Sequence, residues 1–336
     1  MGSEDSNIPI VKSQPGITTE NYESPFGKKI ARSTRIKENI IKYFFAVNGA
    51  MALVFIILIF IFLFKEGFKA LDHISISDFL YLNQTQADGT IKKVFEWYPT
   101  SENARYSLVP LILGTLLTAI PATIISTIFG VSAGIYLSEI TNPKAKEFLK
   151  PMIELFAGIP TVVLGFIMLV IGASFFNDLL NPTNRLNAFI AALGLSFVIV
   201  PIIASLTEDA LHSIPDELRN ASYGLGATKW QTISKIILPA AFSGVSASII
   251  LGFGRAIGET MIVLMAAGNA SNITGNIFQS VRTMTATIAA EMGEVSQGSD
   301  HYYALFFIGI ILFTITFFLN LIAEIIISKM RKKNTF

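Results

Sequence analysis

The sequence contains no cysteine and little charge: three of its 336 residues are histidine and only 15% are charged. Without cysteine there can be no disulfide framework, thiolate metal site or cysteine nucleophile. The histidines His73, His212 and His301 are too scattered along the chain to indicate a metal cluster. The net charge of +1 offers no excess of basic groups for nucleic acid. We therefore expect no metal site and no nucleic-acid partner.

Long apolar runs dominate the chain, of which 52% is hydrophobic. A helix needs ~20 apolar residues to cross the hydrocarbon of a membrane, and a central charge is costly there. Uncharged runs of this length cover residues 44–64, 106–138, 155–177, 186–207 and 302–323. One more run, 236–268, is interrupted only by Arg255 and Glu259, and it is the fifth of the six runs in chain order. The runs predict an all-α membrane protein with six transmembrane helices.

The basic residues predict the orientation of the chain. The segments before the first run and after the second, fourth and sixth runs hold 17 Lys and Arg, whereas the segments on the opposite side hold seven. Basic segments favour the cytoplasmic side. We expect a multi-pass protein of the cytoplasmic membrane with both termini in the cytoplasm. Residues 1–43 form a basic tail, 44–105 the first span and an external loop, 106–329 the main membrane domain and 330–336 a second tail.

The basic tail ends in a segment with helical spacing of apolar residues. Ile36, Ile40 and Tyr43 recur beside Arg and Lys, which is typical of a short helix on the membrane surface. The alternative is a plain basic tail that only sets the orientation.

The loop of residues 207–239 has the signals of two short helices. Pro215 and Asp216 can start the first, Gly224 and Gly226 end it, and Thr228 can cap the second. Its apolar side chains Leu218, Tyr223 and Trp230 suit docking into a groove of a cytoplasmic partner. The alternative is an amphipathic connector that rests on the bilayer.

Residues 252–260 form a glycine-rich segment inside the fifth span. It is not a phosphate-binding P-loop, because Gly252 and Gly258 enclose five residues and Glu259 stands where a lysine is needed. We therefore expect this chain to bind no ATP. Gly254 and Gly258 are four residues apart, so they can let another helix pack closely.

Two charges lie in the same segment. Arg255 and Glu259 share one face of a continuous helix, and charges inside a span by default mark a transport pathway or a relay. The planar fork of arginine suits an oxyanion such as phosphate. We predict a substrate pathway that includes Arg255, Glu259 and the adjacent Thr260, in which Glu259 neutralises Arg255 while no anion is bound. The alternative is a structural ion pair.

The loop resembles the coupling loop of ABC importer permeases, which has the form E-A-A-x3-G-x9-I-x-L-P. The matching residues are Ala221, Gly226, Ile236, Leu238 and Pro239. Asn220 stands in place of the Glu, and Ser222 in place of the second Ala. The resemblance implies that these seven residues couple the chain to a partner ATPase, and that the chain has no catalytic site of its own.

Three further segments resemble phosphate importer permeases. Residues 254–260 are similar to the Gly-Arg-Ala-x-Gly-Glu-Thr signature, 153–160 to the start of the third span, and 282–289 to an external segment typical of PstC-like subunits. The resemblance covers residues 106–329 and implies the permease fold of an ABC type I importer. It also implies phosphate as substrate, a second, PstA-like permease, two cytoplasmic ATPase subunits that bind the ATP, and an external phosphate-binding protein.

Three other functions are compatible with the composition. The chain could be an ABC permease for another oxyanion, or a secondary carrier driven by an ion gradient, although carriers commonly show two repeated halves and none is evident here. An intramembrane enzyme would need catalytic groups close together, and Glu154, Glu259 and Glu291 are widely spaced.

Overall fold

The computed structural model describes residues 32–85 and 91–333. The helices of the first half are α1 Arg32–Phe68, α2 Ala70–His73, α3 Ile76–Leu80, α4 Val109–Ile135, α5 Pro143–Ala157, α6 Thr161–Ile167 and α7 Ala173–Leu180. Those of the second half are α8 Ala188–His212, α9 Asp216–Gly224, α10 Lys229–Thr232, α11 Leu238–Ala240, α12 Phe242–Gly258, α13 Met261–Ala266, α14 Met284–Glu291 and α15 Asp300–Lys333. Turns of π-helix lie at Tyr136–Ile140, Met168–Gly172 and Ile233–Ile237.

Within the described residues, five helical segments are long and apolar enough to cross a membrane. They are Lys37–His73, Val109–Ile140, Thr161–Leu180, Ala188–His212 and Asp300–Ile325. A sixth span is formed if the pair Lys229–Ala240 and Phe242–Gly258, bent by 70°, counts as one. The predicted all-α membrane fold is confirmed.

The chain divides into two compact units, residues 1–59 and 60–336. The described part of the first unit belongs to α1, whose apolar side chains are exposed, as expected for a helix in lipid. The segment predicted as a separate surface helix is instead part of α1, which runs without interruption from Arg32 to Phe68. The rest of the predicted tail, residues 1–31, lies outside the described residues.

The third span begins later than predicted. The expected run 155–177 starts inside α5, but α5 ends at Ala157 and a new helix begins at Thr161. Pro160 explains the break, because a proline disfavours the helical conformation of the residue before it. The span itself is therefore Thr161–Leu180, and α5 is a separate amphipathic helix in front of it.

The fifth predicted run, 236–268, is also not one helix. The chain bends by 70° between α11 and α12, and it breaks again at Glu259, which has an extended backbone with φ −72° and ψ 137°. Apolar composition alone cannot locate such breaks, because the residues on both sides remain equally hydrophobic.

Short strands occur in the predicted external loop. Strands β1 Leu82–Thr85 and β2 Ile91–Val94 pair antiparallel, as do β3 Trp97–Tyr98 and β4 Arg105–Tyr106. Trp97 is fully buried and belongs to a cluster with Leu111 of α4 and Leu305 of α15. The loop thus contributes to the core of the second unit, to which it belongs.

The core of the second unit lies where α8 packs against α4 and α12. Glycines make this close approach possible: a Cβ atom on Gly130 would lie 2.8 Å from the Cβ of Ile203, and one on Gly134 would lie 2.7 Å from the Cβ of Thr207. On α12, a Cβ on Gly252 would lie 2.9 Å from Ile199. The first two contacts hold α4 against α8, and the third holds α12, which carries the charged segment, against α8.

Candidate coupling loop and transport pathway

The predicted two-helix loop is present. Helix α9 begins directly after Pro215 and ends at Gly224, and α10 begins after Thr228. Thr228 and Gln231 form a capping box, in which the Gln231 N–H donates to Thr228 Oγ1 at 3.3 Å and the Thr228 N–H donates to Gln231 Oε1 at 2.9 Å. Gly226, in the turn, has φ +83°, a conformation that favours glycine. The local sequence therefore determines the elbow.

The two loop helices are joined by a hydroxyl pair. The Oγ of Ser222 lies 2.8 Å from the Oγ1 of Thr232, and both residues are buried. Ser222 is one of the two departures from the coupling-loop pattern, and here its hydroxyl has a partner. An alanine would leave the buried Thr232 hydroxyl without this hydrogen bond.

The outer surface of the loop is apolar and exposed. Leu225 is 91% exposed and Trp230 67%, and Leu218, Tyr223 and Ile236 are also exposed. We call these five residues the docking surface. Among the remaining predicted coupling residues, Asn220, Ala221 and Pro239 are exposed, whereas Leu238 is half-buried. Large apolar side chains at this density indicate contact with a partner or with the bilayer.

Helix α5 is fixed to α8 by ion pairs that the sequence did not predict. Glu208, which is only 1% exposed, contacts Lys146 Nζ and Lys150 Nζ, each at 2.5 Å. Lys150 also contacts Asp209 at 2.8 Å. Burial lowers the pKa of Lys150, but its hydrogen bonds to Asp209 and Glu208 outweigh burial and raise the pKa above its ordinary value. A sequence signal does exist, because Lys146 and Lys150 are one helical turn apart.

The structure separates the two charges of the predicted pathway. Arg255 is exposed on α12, but the helix ends at Gly258, so Glu259 does not continue the helix face of Arg255. The carboxylate of Glu259 accepts a hydrogen bond from the Met261 N–H at 3.2 Å, at the start of α13. Among the described residues, no ion pair includes Arg255. Neither the predicted neutralisation nor the structural ion pair is therefore observed.

The glycines beside Arg255 are open within this chain. A Cβ on Gly254 would lie 3.8 Å from Asn320 Oδ1, an ordinary contact, and one on Gly258 would meet none of the described atoms within 4 Å. The glycine that permits close packing inside the chain is Gly252, not Gly254 or Gly258. The described residues thus leave uncovered the face of α12 that carries Gly254, Arg255 and Gly258. Thr260 lies partly buried at the end of this face.

The segment 282–289, which is predicted to be external, meets the break in the fifth span. Thr285 Oγ1 donates a 2.7 Å hydrogen bond to the carbonyl oxygen of Glu259. The same segment lies on α4, because the Met284 N–H donates to Thr115 Oγ1 at 3.1 Å and a Cβ on Gly114 would clash with the carbonyl oxygen of Arg282. The sequence alone offered no signal for this contact.

Glu291 connects β3, the segment 282–289 and the start of α15. Its carboxylate accepts hydrogen bonds from Trp97 Nε1 at 2.9 Å and contacts Arg282 Nη1 at 2.7 Å and His301 Nε2 at 2.8 Å. Burial raises the pKa of Glu291, but these partners outweigh it and hold the pKa below its ordinary value. Glu291 and these three partners line a cavity of about 610 Å³. Within the described ranges, no group of three or more His, Asp or Glu is placed to hold a metal ion.

Together, the bundle of apolar spans, the exposed two-helix loop and the uncovered Arg255 define a multi-pass membrane protein of the transport permease class. Residues 126–332 match the family model described as binding-protein-dependent transport system inner membrane component. The chain belongs to this family of ABC type I importer permeases.

Known relatives agree with this assignment. The chain is 34% identical to the probable ABC transporter permease protein YqgH of Bacillus subtilis. The alignment of 233 residues covers 69% of this chain and 75% of the relative. It is 31% identical to the phosphate transport system permease protein PstC of Mesorhizobium japonicum, over 68% of this chain and 75% of the relative.

Solved structures show the same fold. An inward-facing MetNI methionine ABC transporter chain matches with a TM-score of 0.54 and 19% identity, over 66% of this chain and 95% of that chain. A chain of a bacterial ABC transporter that imports the polysaccharide alginate matches with a TM-score of 0.55 and 15% identity, over 88% and 99%. The substrates of these two transporters differ, so the likeness describes the fold alone.

Proposed function

We propose that this chain is a permease subunit of an ATP-driven importer of inorganic phosphate. The observation that carries the proposal is Arg255, an exposed arginine about 20 Å along the axis of α12 from Phe242. A charged side chain in a span is too costly to face lipid, so this face lines an aqueous path or meets another subunit. The similarity to PstC proteins favours phosphate.

The chemistry of Arg255 fits an oxyanion. Its guanidinium stays charged at physiological pH and offers paired donors to phosphate oxygens. Since no carboxylate of the described residues forms an ion pair with Arg255, an anion need not displace an internal partner. Glu259 and Thr260 form the end of the same path, where Glu259 maintains the break between α12 and α13. We assign Gly254 and Gly258 to the contact with a second, PstA-like permease.

The docking surface fits a cytoplasmic ATPase. In this proposal, two ATPase subunits bind the ATP, and one of them contacts Leu225 and Trp230. An external phosphate-binding protein supplies the substrate, and both termini of this chain lie in the cytoplasm. No catalytic site is assigned to the chain itself.

The test is uptake of labelled phosphate by liposomes that contain the complete complex, with the binding protein outside and ATP inside. We expect uptake that requires ATP and is not competed by sulfate. Arg255→Ala should reduce the rate roughly ten- to a hundredfold, the equivalent of one hydrogen bond to a charged group. Arg185→Ala, which removes an exposed arginine outside α12, is the matched control and should transport normally.

Each alternative has its own result. Competition by sulfate would indicate another oxyanion as substrate, and uptake driven by an ion gradient without ATP would indicate a secondary carrier. Transport at the parent rate by Arg255→Ala would contradict the assignment of the pathway.

A further inference from the structure

Arg219 on α9 forms a two-pronged ion pair with the end of the second span. Its Nη2 lies 2.7 Å from Glu139 Oε1, and its Nε donates to Glu139 Oε2 at 3.3 Å. The side chains are only 14% and 6% exposed. Glu139 belongs to the π-helical turn Tyr136–Ile140 that follows α4. The fork geometry fixes both distance and angle, which a single contact would not do.

The same guanidinium also binds the end of α8. Nη2 donates to the carbonyl oxygen of Leu211 at 2.9 Å, and Nη1 donates to that of Ile214 at 2.6 Å. Leu211 lies in the last turn of α8, and Ile214 lies two residues beyond its end, so Arg219 holds both the helix end and the chain that leaves it. One side chain thus connects the first loop helix to the ends of two long helices.

This connection lies on the inner side of the loop. The docking surface is exposed on the outer side, and neither Arg219 nor Glu139 belongs to the matched coupling-loop pattern. The hydrogen bond to Glu139 raises the pKa of Arg219 above its already high ordinary value, so the pair stays charged. Removing one partner from such a pair leaves an uncompensated charge in a poorly hydrated place, so the two side chains resist separation.

We propose that Arg219 is the positioning residue that transmits movement of the docking surface to α4 and α8. When a partner moves the loop, the fork on Glu139 and the bonds to Leu211 and Ile214 make the ends of both helices follow. The inference rests on the proposed function, because it requires a partner that moves the loop. The link itself lies within this chain, because it is a buried arginine–carboxylate pair.

The test compares ATP hydrolysis with transport in the complete complex. Four variants are needed: Arg219→Ala, Glu139→Gln, the double variant, and Asp216→Asn as matched control. Asp216 also contacts Arg219, at 3.1 Å, but its side chain is 86% exposed, so its loss should change coupling by less than about twofold. The readouts are the amount of ATPase that co-purifies and the phosphate imported per ATP hydrolysed.

We expect Arg219→Ala to retain the ATPase, because the docking surface is unchanged, and to import about tenfold less phosphate per ATP, a typical size for coupling between sites. The double variant should be no worse than Arg219→Ala, since both changes break the same link. Arg219→Lys should restore part of the coupling, because lysine keeps the charge but lacks the fork.

Normal import per ATP in Arg219→Ala would overturn the inference, and so would losses that multiply in the double variant. If Arg219→Ala does not assemble, Glu139→Gln, which keeps the shape of the side chain, decides instead by the same ratio. If a different anion, and not phosphate, stimulates ATP hydrolysis by the parent complex, the proposed substrate is wrong but the inference about Arg219 is not affected. The ratio for Arg219→Ala is then measured with that anion and still decides the role of Arg219.

Discussion

Thr285 donates a 2.7 Å hydrogen bond from its hydroxyl to the carbonyl oxygen of Glu259. Glu259 lies in the break between α12 and α13, where its carbonyl group has left the regular helix pattern, and Thr285 is buried in the first turn of α14. The bond therefore fixes the break in the fifth span to the segment 282–289. The segments 254–260 and 282–289, which are separate in the sequence, are therefore in direct contact.

Replacing Thr285 tests this contact. Thr285→Val keeps the shape of the side chain but removes the donor, and leaving a buried carbonyl unpaired costs about 1–3 kcal/mol. We expect a lower free energy of unfolding and slower phosphate uptake, measured by denaturant titration and by liposome transport. Thr285→Ser keeps the hydroxyl and should stay close to the parent in both. Equal behaviour of the Val and Ser variants would show that the bond is unimportant.

Glu208 is predicted to be the charge on which the attachment of α5 depends. Glu208→Ala leaves Lys146 and Lys150 without their buried partner, and losing hydrogen bonds to a charged group costs about 1.5–3 kcal/mol. The measurement is unfolding of the purified protein in detergent. Asp209→Asn is the control, because Asp209 contacts the same Lys150 but is 58% exposed, so its loss should cost less than about 1 kcal/mol. Similar losses in both variants would contradict the difference in burial.

Stability should depend on acid through Glu291. Its pKa in the folded protein lies below the ordinary value of 4.5, so its contribution is complete above about pH 4.5 and is lost as the pH falls through the folded pKa. Glu291→Gln should therefore lower the unfolding temperature at pH 7, and the difference from the parent should shrink in stronger acid. Thermal unfolding between neutral and acidic pH measures this. A difference that stays constant with pH would refute it.

Gly226→Pro should disconnect the loop from the ATPase without preventing insertion. Proline requires φ near −65°, whereas Gly226 has φ +83°, and its N–H, which donates to the Tyr223 carbonyl at 2.9 Å, would be lost. We expect a normal amount of membrane-inserted protein but little co-purified ATPase. Gly224→Ala is the control, because a Cβ there meets none of the described atoms within 4 Å. Retained ATPase binding in Gly226→Pro would argue against the docking surface.

The absence of cysteine allows a clean test of orientation. Leu225→Cys and Tyr98→Cys would each be the sole cysteine, at positions that are 91% and 57% exposed. In right-side-out vesicles, an impermeant maleimide should label Tyr98→Cys at once and Leu225→Cys only after permeabilisation. The reverse pattern would place the loop outside and overturn the orientation derived from the basic residues.

The loop shows how far local sequence determines structure. Pro215, Gly226 and Thr228 act through their own backbone conformation or through hydrogen bonds to near neighbours, so the elbow could be predicted without the tertiary structure. The spans could be predicted for a similar reason, since membrane insertion depends on the apolar character of each continuous run.

The contacts that define the candidate site had to come from the tertiary structure. The 3.6-residue period placed Arg255 and Glu259 on one face, but the period applies only while the helix continues, and α12 ends at Gly258. The partners of Glu139 and Glu208 are 80 and 58 residues away in sequence, counted to Arg219 and Lys150. Composition and spacing thus determined the spans, their expected orientation and the loop. Only packing of distant segments decided which charges are paired, because a buried charge takes its partner from whatever the fold brings within hydrogen-bond distance.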